Sequence, residues 1–416
     1  MRYLLIIFIS LAGFLSADIL LRPNYILDVN TGELYKGEIL IKDGIIDRIG
    51  KNIASKTKAE VIDLPDIIIL PGLMDTHVHL IGNTEAKGYE GISDSSYLST
   101  IYGVINAKKT LNAGFTTVRN VGAGRYTDVA LKKAIQRGIV DGPDMFVSGP
   151  ALGITGGHCD NNLMPYETSI PSEGVADSPW EARKKVRANR KFGADLIKFC
   201  ATGGVMSRNT DVNAKQFTYE EMAAIVDEAH NHGMKVAAHA HGLEGIRTAI
   251  HAGVDSIEHS SFIDEATIKL AIDKGVFLSM DIYVSDYILG EGAEKGILEE
   301  SLAKERTVGR KQRENFKKAV DLGAKITFGT DAGIFDHGTN AKQFSYMVRW
   351  GMTPIQAIQA ATINAADLIG VADRKGKIVG GFDADLIGVS QNPLKKIDAL
   401  EDVDFVMKSG KIIKLP

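Results

Sequence analysis

The chain has 416 residues, 44% hydrophobic and 24% charged, with 48 Lys and Arg against 52 Asp and Glu for a formal net charge of -4. This balance is that of a folded globular protein long enough for one large barrel and a smaller unit, and it excludes a disordered chain. It gives no electrostatic footprint for nucleic acid or an anionic membrane, and the two cysteines, Cys159 and Cys200, cannot build a disulfide framework.

The first 17 residues, "MRYLLIIFISLAGFLSA", run from Arg2 through a short apolar stretch to the small residues Ser16 and Ala17. They read as a secretory signal peptide cleaved after Ala17, because the apolar core is short for a bilayer span. The mature protein is then secreted or periplasmic, with no stable membrane association. Leu15 stands where cleavage sites prefer a small residue, so an uncleaved anchor is the alternative.

From 18 to 70, the runs "YILDVN", "GEILIKDGIIDRIG" and "AEVIDLP" alternate apolar and polar residues between Gly, Asp and Asn, which is a hairpin signature. Residues 371–416, from "KGKIVGGFDADLIGVS" to "DFVMKSGKIIKLP", have the same texture. Both ends are therefore expected to form one small β-sandwich domain.

Between them, residues 71–370 alternate short apolar strands with helical segments. The strands are "DTHVHL", "FTTVRNV", "DMFVSG", "LIKFCA", "VAAHAHG", "SIEHS", "VFLSMDI" and "ITFGTDAG". Eight such repeats predict an α/β fold of the (β/α)8 TIM-barrel kind. The helix "TYEEMAAIVDEAHNHG" opens with Thr218 and Glu221 at capping-box spacing, and its terminal His230 and His232 suit the helix dipole. The basic run Arg183 to Lys191 reads as a solvated helix face. "VGAGRYT" imitates a dinucleotide-binding turn, but Thr127 replaces its third glycine, so an ordinary βα turn is expected.

The chemistry concentrates at the ends of these strands. In "PGLMDTHVHL", His77 and His79 alternate along a strand and so emerge on one side. Lys198, His239 and His259 lie on three further strands, and Asp331 follows the last. A barrel opens the carboxyl ends of all its strands onto one face, so these side chains should converge there. Packing four imidazoles together demands many hydrogen-bond partners, whereas a divalent metal uses their neutral nitrogens as ligands. Lys198 fits such a site as a neutral amine or as a CO2-derived carbamate, a bidentate anion able to bridge two cations. The ordinary alternative is a lysine that reaches solvent or pairs with a carboxylate. Pairing of Cys159 and Cys200 is left open.

As a set, "PGLMDTHVHL", Lys198, His239, His259 and "GTDAG" resemble the amidohydrolase superfamily, in its two-metal subgroup with a carboxylated lysine. The resemblance spans nearly the whole chain beyond the leader, and "DADLIGV" is similar to a late strand of that family. "GFTTVRNVG", "TGGH", "IKFCATGGVMS" and "GTDAGIFDHGTN" look most like the branch of Xaa-Pro dipeptidases (prolidase-like), Xaa-Arg carboxypeptidases and imidazolonepropionase relatives. It implies that His77, His79 and Asp331 hold the more buried metal, that His239 and His259 hold the other, and that Lys198 bridges them. Zn2+ is the expected ion, with Mn2+ and Co2+ as alternatives.

The implied activity is hydrolysis of the amide bond of a dipeptide or N-acyl amino acid through a metal-bridging hydroxide, with Asp331 moving the proton. Alternatives are hydrolysis of a cyclic amide or a non-peptide amide or ester, and a metal-free barrel scaffold. His158 is the candidate partner of the substrate carbonyl. His241, where the branch often has tyrosine, is a candidate substrate contact; His337 either binds a substrate carboxylate or orients the loop after the last strand, and Arg208 either pairs with a substrate carboxylate or is a solvated loop arginine. Asp75 is expected to hold a ligand imidazole, Glu258 to point to the opposite face, and Asp281 either to attract a basic side chain or to be an ordinary strand-end carboxylate. The partner is a small peptide or amide; side-chain preference and oligomeric state stay open.

Overall fold

A computed structural model describes residues 18–86 and 90–416, so the proposed signal peptide lies outside the described residues. Strands β1 (Ile19–Asp28), β2 (Glu33–Tyr35), β3 (Glu38–Lys42), β4 (Ile45–Gly50) and β5 (Glu60–Pro71) come first. The barrel strands follow as β6 (Leu73–Val78), β7 (Phe115–Asn120), β8 (Asp144–Val147), β9 (Leu196–Cys200), β10 (Lys235–Ala240), β11 (Ser256–His259), β12 (Phe277–Ser279) and β13 (Ile326–Thr327). The chain ends with β14 (Leu386–Val389), β15 (Phe405–Lys408) and β16 (Lys411–Lys414).

Both chain ends meet in one sheet of order β16-β15-β14-β5-β1-β3-β4, with β2 on β1. The alternating pattern buries Leu21, Ile26, Ile39, Ile41 and Ile69 against Leu386, Phe405 and Met407. A bridge between Ile45 and Asp383 curls the sheet back over this core. Gly72 alone separates β5 from β6, and a Cβ there would stand 2.2 Å from Thr116 Oγ1, so the bare backbone lets the sheet run into the barrel.

Barrel strands pair in parallel as two arcs, β6-β7-β8 and β9 through β13. One seam is closed by a Leu152–Phe199 bridge and by Asp195 N–H donating to Val147 O at 2.7 Å. The other is closed by a Val78–Ala332 bridge and by Thr76 N–H donating to Phe328 O at 2.8 Å. The result is a (β/α)8 barrel with helices outside it.

The helix Tyr219–Asn231 begins at the expected capping box of Thr218 and Glu221. The basic run lies on the helix Pro179–Phe192, where Arg183 and Arg187 pair with Asp227 and Glu228 of that neighbouring helix at 2.6 and 2.7 Å. "VGAGRYT" is a short turn leading to a helix at Thr127, with Arg125 and Tyr126 at φ of 55° and 54°. At the base of the barrel the fully buried Lys375 pairs with Asp144 at 2.8 Å, with Asp383 at 3.1 Å and with Asp385. This cluster ties the barrel to the terminal sheet.

Candidate metal centre and substrate cavity

The carboxyl ends of the strands open into a cavity of about 420 Å³ lined by His77, His79, Lys198, His239, His259 and Asp331. Strand alternation sends His77 and His79 the same way, and both Nε2 atoms approach one oxygen, Asp331 Oδ1, at 3.3 and 3.2 Å. The ring of His259 lies 5.0 Å from that of His77 and 4.6 Å from that of His239. Potential ligand atoms of His77, His259 and Asp331 fall within 4.8 Å of one another, as do those of His239, His241 and His259.

Each ring is held from behind. A carboxylate only accepts, so His77 Nδ1–H donates to Glu258 at 2.9 Å and His259 Nδ1–H donates to Asp281 at 2.9 Å. His239 Nε2–H donates to Gly203 O at 3.2 Å. The second nitrogen of each is left with its lone pair toward the cavity, the arrangement by which outer partners prepare imidazoles for a metal.

Burial and the neighbouring carboxylates set the charge of this donor set. Burial lowers the pKa of His79 and carries His239 and His241 well below the ordinary histidine value, so these rings stay neutral at pH 7. Burial also opposes charge on His77, but Asp331 and Glu258 outweigh it and raise its pKa. Asp331 is held well below the usual carboxylate range by His77 and His79, although burial works the other way. Burial brings Lys198 down to about 8, close enough to neutrality to supply a free amine, the form whose lone pair can add to the carbon of CO2. Four imidazoles, one carboxylate and a lysine of this kind fit a pair of divalent cations.

Backbone strain marks the same place. His259, Ser260 and Asp331 have φ of 70°, 54° and 58°, left-handed values that cost a residue with a side chain about 1–3 kcal/mol each. The conformation of His259 also corrects the expectation for Glu258. Glu258 stands in register with His239 and so points into the barrel, while His259 would point out by alternation and is turned back by its positive φ. Glu258 therefore supports the site: it accepts from His77, from Arg119 Nη2 at 2.7 Å and from Ser256 Oγ at 2.6 Å.

Other expected residues take different places. Asp75 holds no imidazole; it accepts from Thr330 Oγ1 at 2.6 Å and Asn340 Nδ2 at 2.8 Å, tying β6 to the loop after β13. Asp281 is engaged by His259 and by Gln312 Nε2 at 2.8 Å. His337 does not line the cavity, because its Nε2 donates to His79 O at 3.1 Å and its Nδ1 lies 3.4 Å from Thr110 Oγ1. It braces the backbone behind His79 and contacts no substrate space.

Arg208 borders an outer vestibule of about 770 Å³ that shares His158 and Met206 with the inner cavity. His158 packs its ring 4.1 Å from that of His239, with Nδ1 2.8 Å from Ser207 Oγ. Gly204 makes room for it, since a Cβ there would be 2.3 Å from the ring. His241 stacks on His259 and bonds Ser261 Oγ at 2.7 Å. Cys159 and Cys200 form a disulfide that lines the cavity and ties the loop of His158 to the end of β9.

Three contributors escaped sequence reasoning: Arg119, Gln312 and Glu305. Arg119 in "FTTVRNV" is an arginine within an apolar strand, a signal that could have been read. Gln312 and Glu305 lie on the long, charge-rich helix Glu299–Asp321, which reads as a solvent-facing element.

The comparisons with known proteins agree with this geometry. A model of the amidohydrolase family matches residues 68–413. The chain is 34% identical over 371 residues to ochratoxinase of Aspergillus niger, covering 84% of this chain and 76% of that one. It superposes with a TM-score of 0.90 on a crystal structure of a Xaa-Pro dipeptidase with methionine bound in the active site, at 37% identity over 96% of this chain and 100% of that one. A prolidase complexed with N-methylphosphonate-L-proline gives a TM-score of 0.89 at 29% identity, covering 96% of this chain and 100% of that one. Barrel, composite sheet, site and similarity lead to one conclusion: the chain belongs to the amidohydrolase family and is a hydrolase of amide C–N bonds.

Proposed function

We propose that the protein is a binuclear-metal amidohydrolase that cleaves the amide bond of a dipeptide or N-acyl amino acid. The observation that carries this reading is the meeting of His77, His79 and Asp331 at one carboxylate oxygen, in the same cavity as Lys198, His239 and His259. His77, His79 and Asp331 would hold one cation, His239 and His259 the other, and Lys198, as a carbamate, both. Zn2+ suits these nitrogen and oxygen donors. When bound, such cations act as Lewis acids and make water acidic enough to serve as nucleophile at neutral pH.

The chain's own groups divide the remaining work. Asp331 engages His77 and His79 through Oδ1, which leaves Oδ2 to take the proton of the attacking water and pass it to the leaving amine. His158 is neutral, with burial lowering its pKa to about 3. In the tautomer whose Nδ1 accepts from Ser207, Nε2–H is left to donate to the substrate carbonyl oxygen as charge develops there. Val205, Val284, Ile288 and Val308 give the cavity apolar walls that exclude water.

The likeness to a Xaa-Pro dipeptidase and to a prolidase supports a peptide substrate. The 34% identity to ochratoxinase favours, as a second reading, a non-peptide amide. Metal-loaded protein incubated with a library of dipeptides and N-acyl amino acids should release free amino acids, and a chelator should stop it. No release from any member would overturn the peptide reading. Export belongs to the same proposal: the N-terminus of protein recovered from the expressing cell should be Asp18.

A further inference from the structure

Cys159 and Cys200, the two cysteines of the chain, lie 41 residues apart and are bonded to each other in the wall of the substrate cavity. Each stands beside a residue of the proposed reaction. Cys159 follows His158, and Cys200 ends β9 two residues beyond Lys198, in register with His239 of β10. β9 is buried along its whole length and paired to β10, so Cys200 is the fixed end of the bond.

The other end belongs to a loop. From 153 to 176 the chain leaves the barrel and is bonded largely to itself: Ala176 N–H donates to Gly153 O at 2.9 Å, and Asp160 accepts from the Gly156 and Ser172 amides, each at 2.9 Å. Lys185 ties its outer part by donating to Glu173 O at 2.7 Å. Beside the cavity, His158 N–H donates to Gln216 Oε1 at 3.0 Å and its ring meets Ser207 Oγ, but both partners lie outside the strands and helices themselves. The cystine is what fastens this turn to a strand. The backbone is shaped for it, since a Cβ on Gly153 would stand 2.7 Å from Cys159 Cβ.

We propose that the Cys159–Cys200 disulfide positions His158 for the reaction and makes the site redox-sensitive: oxidised, it holds the His158 ring 4.1 Å from that of His239; reduced, it frees the loop and hydrolysis slows. This rests on the hydrolytic reading of the same cavity and adds its control. A thiol reductant makes the change in two steps. Its thiolate attacks the sulfur of Cys159, the less buried of the two, the S–S bond breaks, and Cys200 leaves as a thiolate that takes up a proton. A second reductant thiolate then attacks the mixed disulfide and releases Cys159 as a thiol. The cystine gains two electrons and two protons, and two reductant thiols become one disulfide. Because such bonds persist in oxidising compartments and are rare in reducing ones, the enzyme is slow in a reducing compartment and fast where disulfides form.

For the test, metal-loaded protein is equilibrated in glutathione buffers of graded ratio, and the cystine fraction is read by maleimide labelling. Hydrolysis of the best-cleaved member of the amide library is assayed on each sample, with metal content measured alongside. In wild type, kcat should fall by about 10- to 100-fold from fully oxidised to fully reduced, in step with the cystine fraction and with KM little changed. Oxidised glutathione should restore it. Cys200→Ser should match reduced wild type, and His158→Gln should be slow when oxidised and lose nothing further on reduction. Equal losses in wild type and His158→Gln, or a kcat that ignores the cystine fraction, would reject the positioning role and keep the hydrolytic reading. Free thiols in fully oxidised protein would reject it as well.

Amide hydrogen exchange reads the same hold without turnover. Reduction should speed exchange across 153–176 while β9 and β10 keep their protection. Faster exchange in the loop with no hydrolysis in either state would reject the hydrolytic reading and keep the cystine's hold on the loop. Unchanged exchange would reject that hold, and loss of protection in β9 and β10 as well would make the bond a general staple and reject the local role.

Discussion

Glu258→Gln is the sharpest probe of the support beneath the proposed metal ligands. The native carboxylate splits its oxygens: Oε1 accepts from Arg119 and Ser256, and Oε2 accepts from His77. A glutamine has one acceptor, so either the guanidinium or the imidazole must face an NH2 group. Either way Arg119, 3% exposed, keeps its charge without a counter-ion. Stranding one partner of a buried pair costs about 3–5 kcal/mol. That is a large part of the roughly 5–15 kcal/mol that holds a typical native protein together. Loss of the His77 support should separately weaken metal binding by about 10- to 100-fold.

Urea unfolding of chelator-treated protein measures the first effect, and competition with a chromophoric chelator measures the second. The double variant Arg119→Met with Glu258→Gln removes the stranded cation and should be at least about 2 kcal/mol more stable than Glu258→Gln alone. If Glu258→Gln unfolds within about 0.5 kcal/mol of wild type, or if the double variant gains nothing, the electrostatic account of this layer is wrong.

Lys198→Ala should lose bound metal and amide hydrolysis together, and acetate or propionate should restore part of both; metal analysis showing full occupancy in the variant would remove the carbamate bridge. Lys375→Met leaves Asp144, Asp383 and Asp385 facing one another and should cost about 3–5 kcal/mol of stability in urea unfolding, with little change in metal content. Glu228 is held down to about 2, first by its hydrogen bond from Arg187 and, against the pull of burial, by Arg183. A depressed folded-state pKa gives stability that is present above the unfolded value of 4.5 and lost as pH falls toward 2. The melting-temperature gap between wild type and Glu228→Gln should therefore be wide at pH 6 and close progressively below pH 4.5; a gap that is constant with pH would count against the assignment.

The barrel was legible because its strands are short apolar runs whose polar residues sit at the ends, where the fold puts its chemistry. The convergence of His77, His79, Lys198, His239, His259 and Asp331 on one cavity could be read for the same reason. What alternation could not reveal is Glu258, because His259 breaks the two-residue period with a positive φ at the strand end. Spacing places His337 in the loop after the last barrel strand but cannot choose between bracing that loop and meeting a substrate carboxylate; its two nitrogens, occupied by His79 O and Thr110 Oγ1, favour the bracing role. Glu305 and Gln312 were hidden by their neighbours: a helix rich in Lys, Arg and Glu looks solvated all round, and only its packing over the barrel mouth turns two residues inward. The pairing of Cys159 with Cys200 depends on a loop folding back across β9, which no local pattern encodes.

The composite sheet sets an order of events at the ribosome. β5 pairs with β14 through Leu70 and Ile387, so the edge of β5 waits for its neighbour until the whole barrel has been translated. During that interval the nascent chain carries an open β edge, the kind of surface that invites wrong partners. Losing even the last few dozen codons would remove β14, β15 and β16 and leave β5, the strand that leads into the barrel, with one edge unpaired.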